Sequence, residues 1–219
     1  MQKLTFQFWL DIPLVFKVAR QVDQRITDKA KIAQKLKVGI DKARCFVRWA
    51  QLLGLVRAKQ PRGTNLHTAD LYSTLLQLGE SDQDTLELIY FIICKRHLIT
   101  SFLVNDVAYP RRASGFAVQE AHRLIKERSQ EFEASSSTLK TQVTRHLKGL
   151  IHRNGFGGLG LIRRREREER KQRDGYYVVT PFEPSLLVAA YIIYTNWPSH
   201  TAKVAISEIV SGRNSMGRR

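Results

Sequence analysis

Between Asp41 and Leu53 the chain carries two opposed stripes at helical spacing. Ala43, Phe46, Val47, Ala50 and Leu53 recur with the 3.6-residue period, while Asp41, Arg44, Cys45 and Arg48 fall at i, i+3, i+4 and i+7 on the other side. A helix of this kind must bury the first stripe and leaves the second, basic one facing solvent. Val38–Gly39 interrupts the chain before it, Asp41 is the expected N-cap, and Gly54 is placed to end it in a left-handed conformation.

The neighbours of this helix narrow the architecture further. Ile12–Val22 is apolar at Leu14, Val15, Val18, Ala19 and Val22 and predicts a first amphipathic helix. Thr27 or Asp28 caps a short second helix, Lys29–Lys37, with Ile32, Ala33 and Leu36 inward. After Gly54, Leu55–Lys59 and Leu66–Thr68 read as two strands around the turn-rich tip Gln60–Asn65, and Ala69–Leu78 returns to helical spacing. Three helices followed by a basic hairpin is the order of a winged helix-turn-helix. In that design the third helix enters the major groove and the wing touches the phosphate backbone.

The second half repeats the plan in pattern, not in residue identity. Asp84–Val107 predicts one buried apolar helix between the halves, with His97 a surface or core residue, and Tyr109–Gly115 a linker. Phe116–Arg128 reads as a helix. Ser135–Ser137 caps another over Thr138–His152, with Leu139, Val143, Leu147, Leu150 and Ile151 inward and Thr141, Thr144, Arg145 and Lys148 outward. The glycine-rich stop after it leads to strands at Leu159–Arg163 and Tyr176–Thr180, which flank a long basic wing containing Arg164 and Arg165 and closed by Asp174–Gly175. Pro184–Tyr194 predicts a final buried helix and Ser211–Arg219 a frayed tail. The expected fold class is therefore mostly α: two winged helix-turn-helix units joined by an apolar helix. The divisions fall at 1–80, 81–115 and 116–219.

Charge points to a partner. The 219 residues hold 36 Lys and Arg against 20 Asp and Glu, a formal net charge of +16. Half of that surplus lies in the 38 residues from Thr27 to Thr64. Clustered positive charge attracts polyanions. Phosphate contacts are expected from Lys35, Lys37, Lys42, Lys59, Arg62 and Arg164, with Lys148 and Arg165 alongside. Arg44, Arg48, Thr144 and Arg145 stand where a groove-entering helix presents side chains to base edges.

The chemistry-bearing residue types form no catalytic pattern. The glycines of Gly155–Gly160 follow a helix and lack the Gly-Lys-Ser/Thr of a phosphate loop. The six histidines show no HExxH spacing, and Cys45 and Cys94 fit neither a zinc nor a redox motif. Glu166, Glu168 and Glu169 lie among arginines and read as ion-pair partners. No catalytic residue, metal or other cofactor is expected. Met1–Leu10 lacks an apolar signal core, and the longest apolar runs are too short to span a bilayer, so a cytoplasmic protein without a membrane partner is expected.

Several stretches resemble a known group of proteins. They are Leu36–Asp41–Lys42 leading into Trp49–Val56, then Thr85–Tyr90, and Ser137–Lys140. On these the chain resembles the BrxA-like accessory proteins of bacterial bacteriophage-exclusion islands, and a related tandem winged-helix family found beside DNA phosphorothioation genes. The resemblance spans about residues 28–194. It implies non-catalytic binding of double-stranded DNA within a multi-protein defence or DNA-modification complex. RNA binding and a winged-helix protein-docking scaffold are the alternatives that the same charge pattern serves.

Overall fold

The structure is a computed structural model that describes residues 6–58, 66–128, 130–132, 134–165 and 176–196. It is mostly helical, with two small antiparallel sheets. The first three helices are α1 (Ile12–Asp23), α2 (Lys29–Leu36) and α3 (Ile40–Leu53). The hairpin strands β1 (Val56–Ala58) and β2 (Leu66–Thr68) follow, paired so that Arg57 faces His67 across the ladder. Next come α4 (Asp70–Leu78), α5 (Gln83–Arg96) and α6 (Leu98–Phe102), which runs on through a wider π-type turn at Leu103–Ala108. Strand β3 (Phe116–Ala117), helices α7 (Val118–Glu127) and α8 (Ser136–Ile151), strands β4 (Ile162–Arg165) and β5 (Tyr176–Val179), and helix α9 (Leu186–Asn196) complete the order.

Local chemistry accounts for most of the boundaries. The Asp11 carboxylate accepts from the Leu14 amide and starts α1, with Pro13 in the first turn where its missing N–H costs nothing. Asp28 accepts from the amides of Ala30 and Lys31 and starts α2. Gly54 ends α3 at φ 78°, and Arg96 of α5 donates to the exposed end of that helix at the Leu52 carbonyl, 3.1 Å away. A β-carbon at Gly54 would meet that guanidinium at 2.6 Å, so both the backbone and the neighbour require glycine. Ser135 caps α8 as its sequence position suggests.

Five expectations from the sequence are corrected. Asp41 is not the N-cap of α3: the helix starts one residue earlier, Gly39 occupies the cap, and Asp41 lies in the first turn beside Arg44. Cys45 is buried, because residues 6–10 lie over that side of α3. The helix predicted over Asp84–Val107 breaks at His97, whose extended backbone and ring nitrogen cap α6. Phe116–Ala117 is a strand edge-paired to β5, giving a three-stranded sheet in the order β3-β5-β4. Finally, α9 is buried on one side only. Among the described residues no helix is long and apolar enough to cross a membrane.

The core is one continuous apolar cluster. Residues 6–10 enter it as an irregular strap that contacts both α3 and α8. The Phe6 ring stacks on Trp49 of α3 with centroids 3.8 Å apart and meets His97 and His146 edge-on. Gln142 of α8 brackets the Phe6 peptide: its Oε1 accepts from the Phe6 amide at 2.9 Å and its Nε2 donates to the Phe6 carbonyl at 3.0 Å. Trp49 Nε1 donates to the Phe8 carbonyl, and the Ile12 amide donates to Asn154 just past α8. Gly149 admits the strap, since a β-carbon there would press on Leu10 at 3.3–3.4 Å. A buried peptide left without its partners costs about 1–3 kcal/mol, so the amide of Gln142 is the natural anchor.

Beneath the strap, His97 and His146 stack at 4.2 Å and share the Thr100 hydroxyl through their Nδ1 atoms. Burial holds the His146 pKa well below its ordinary 6.5, helped by His97 and Arg145 nearby. In the unfolded chain this imidazole takes up a proton as pH falls through about 6.5; in the folded chain it stays neutral. Stability is therefore intact above that pH and declines below it, by up to about 1.4 kcal/mol per pH unit from this one group until the depressed folded pKa is reached. Urea unfolding at stepped pH should show this decline, reduced in His146→Gln. At neutral pH the same measurement should place Gln142→Ala about 1–3 kcal/mol below the parent chain.

Candidate nucleic-acid interface

The exposed side of α3 is basic because its buried side is not. Ala43, Phe46, Val47, Trp49, Ala50 and Leu53 turn into the core, which forces Arg44 and Arg48 outward. Helix α2 packs on α3 and carries Lys29 to the same place. Together Lys29, Arg44, Val47, Arg48 and Gln51 line an open hollow of about 350 Å³. Three cations around an open hollow of this size suit an anion such as a phosphate group.

The local acids leave this charge largely uncompensated. Asp28 is committed to capping α2. Asp41 pairs with Arg44 at 3.4 Å, but both side chains are exposed, and such i,i+3 pairs are worth at most about 0.5 kcal/mol. Arg48 makes no ion pair or hydrogen bond among the described residues. A polyanion can take Arg44 from Asp41 at little cost.

The remaining expected contacts divide into three sets. Lys35 and Lys37 are exposed at the end of α2, where Lys37 adopts a left-handed backbone at φ 52° to close the helix; Lys42 is half-buried on α3. Arg164 is exposed on β4 opposite Tyr177. Lys59 and Arg62, with both hairpin tips and the tail, lie outside the described residues, as does the side chain of Arg165.

The outward residues of α8 are engaged within the fold. Arg145 Nη1 donates to the Phe6 carbonyl at 2.9 Å. The Lys148 ammonium sits 5.6 Å from the centroid of the Trp9 ring. The Thr144 hydroxyl donates to the Lys140 carbonyl and lies 3.1 Å from His122 Nε2 of α7. Arg145 and Lys148 thus hold the strap, while Thr144 ties α8 to α7. Reading outward residues from helical period alone missed this, because nothing in the α8 sequence announces that residues 6–10 cross it.

The strap also brings the two halves' cations together. Cys45 lies under the Phe8 carbonyl, and both Arg48 of α3 and Arg145 of α8 are close enough to favour its thiolate. Burial outweighs them and raises the thiol pKa. Arg48 and Arg145 therefore both lie near Cys45. Lys29 was missed as a site residue for a related reason: it is fifteen residues from Arg44, and only the packing of α2 on α3 makes them neighbours.

No group of three or more potential metal ligands occurs among the described residues. No protein-family model matches the chain, and no match is found among curated proteins or solved structures.

The burial of both thiols has a direct readout. Cys94 is fully enclosed beside Tyr90 and its pKa is pushed up to about 12. Since the thiolate is the reactive form, neither Cys94 nor Cys45 should react with a disulfide reagent at pH 8 in the native protein, and both should react promptly in denaturant. Fast labelling of Cys45 in the native state would mean that the strap does not cover it.

Proposed function

We propose that this chain is a non-catalytic double-stranded DNA-binding protein. In this reading α1, α2, α3 and the β1–β2 hairpin form one winged helix-turn-helix unit, and α7, α8 and the β4–β5 hairpin form a second. The observation that carries the proposal is the hollow lined by Lys29, Arg44 and Arg48 on the exposed side of α3. It collects cations from two helices at the place where a groove-entering helix would meet a phosphate and the base edges beside it.

The two units have unequal roles. Arg44 and Arg48 are the reading and clamping residues of the first, while Lys35, Lys37 and Lys42 extend the positive track. In the second, Arg145 and Lys148 serve the strap, and Arg164 on the exposed strand supplies the phosphate contact. Double-stranded rather than single-stranded nucleic acid fits best, because the hollow is lined by Lys29, Arg44, Val47, Arg48 and Gln51 and has no aromatic ring on which a base could stack. On the resemblance to BrxA-like and phosphorothioation-associated proteins, the proposed setting is a phage-defence or DNA-modification complex, with other proteins of that complex as partners.

Fluorescence anisotropy on a labelled duplex, its single strand and an RNA duplex of the same sequence, over a salt series, tests this. The DNA duplex should bind tightest, with log affinity falling linearly against log salt at about −0.9 per phosphate contacted. Arg44→Ala/Arg48→Ala should flatten that slope by about two contacts, and Asp41→Asn should strengthen binding. Equal or absent binding of all three nucleic acids would overturn the proposal.

A further inference from the structure

Helix α9 is apolar around its whole circumference: Leu-Leu-Val-Ala-Ala-Tyr-Ile-Ile-Tyr-Thr-Asn. Such a helix is normally buried on all sides. Here Val188 and Ile192 enter the core against α5, where Tyr191 meets Phe91, and the buried Glu87 carboxylate holds the Ser185 amide at 2.7 Å to fix the entry of the helix. Among the described residues the opposite face is exposed. Leu186 is 91% exposed, Leu187 53%, Ile193 37% and Tyr194 79%. With Ala190 between them, these positions stand at i, i+1, i+4, i+7 and i+8 from Leu186, which at helical spacing is one stripe.

The chemistry of the stripe narrows its occupant. No Lys, Arg, Asp or Glu occurs between Glu183 and Lys203, in a chain of net charge +16. A nucleic acid finds no cation there. An anionic membrane surface calls for Lys and Arg along the polar side of such a helix, and α9 has none. What suits an uncharged, purely apolar helical stripe is another of the same kind. Two copies of α9 crossing about a twofold axis bury the same residues from both sides, and the contact is self-complementary by symmetry. Pairing the four large side chains would cover roughly 500 Å² per copy, or about 1,000 Å² together, which reaches the lower bound for a specific protein interface.

We infer that α9 is a homodimerisation helix, and that the second copy of this chain packs on the stripe Leu186, Leu187, Ala190, Ile193 and Tyr194. The inference does not rest on the DNA-binding proposal, because the stripe shares no residue with the basic hollow. Salt separates the two. Two copies of charge +16 repel, so screening should tighten self-association, whereas phosphate binding weakens with salt.

Sedimentation velocity and light scattering on the full chain, from low to high micromolar concentration at two salt levels, test it. The expected result is a concentration-dependent species of twice the 25.2 kDa chain mass, more abundant at the higher salt. Leu187→Glu/Tyr194→Glu should weaken association by about a hundred-fold while leaving the Tm of the dilute, monomeric chain unchanged. A full chain that stays monomeric throughout would overturn the inference, as would a dimer unaffected by the double substitution. A monomer whose Tm drops on that substitution would show instead that the chain's own residues cover the stripe, which also overturns it.

Discussion

The stack of Phe6 on Trp49, clamped by the two-way hydrogen bonding of Gln142, is the contact on which the arrangement of the halves depends. It joins a residue near the start of the chain to α3 in the first half and α8 in the second. Trp49, His97, His146 and Gln142 are all buried around it, so the aromatic contact and the polar one support each other. Removing water from the Phe6 peptide makes its two hydrogen bonds obligatory, and Gln142 is the side chain that supplies both a donor and an acceptor.

That strap sets the electrostatics of the surface above it. Arg145 and Lys148 are drawn toward it, one to a carbonyl and one to an indole ring, while Arg44 and Arg48 of α3 are left facing outward. The result is a concentration of positive charge whose one ion pair among the described residues is the weak, exposed contact between Arg44 and Asp41. Retained, unneutralised charge of this kind is stabilised by an anionic ligand, which is the physical content of the proposed role. Below the strap the opposite selection operates. Desolvation keeps the His146 ring neutral where it stacks on His97 beneath the basic surface.

The two faces of α9 extend the same reasoning to association. A helix that buries Val188 and Ile192 while exposing Leu186 and Tyr194 has more apolar surface than its own fold uses. Basic hollow and apolar stripe are chemically distinct and share no residue, which keeps the proposed polyanion site apart from the proposed self-association site.

Much of the local structure was determined by sequence alone. The period of Ala43, Phe46, Val47, Ala50 and Leu53, the Asp28 and Ser135 caps and the Gly54 terminator each act within a few residues, and so α2, α3, α8 and the exposure of Arg44 and Arg48 could be read directly. Cys45, Arg145 and Lys148 could not, although they share the same helical faces. What covers a face depends on which distant segment crosses it, and the strap that buries Cys45 and occupies Arg145 is separated from α8 by more than a hundred residues. The same holds for Phe116, whose strand conformation is set by pairing with Tyr177, and for His97, which breaks an otherwise continuous helix to cap the next one and stack on His146. Local hydrogen bonding and periodicity are short-range and belong to the sequence. Burial and neighbourhood are long-range, and only the tertiary structure decided them.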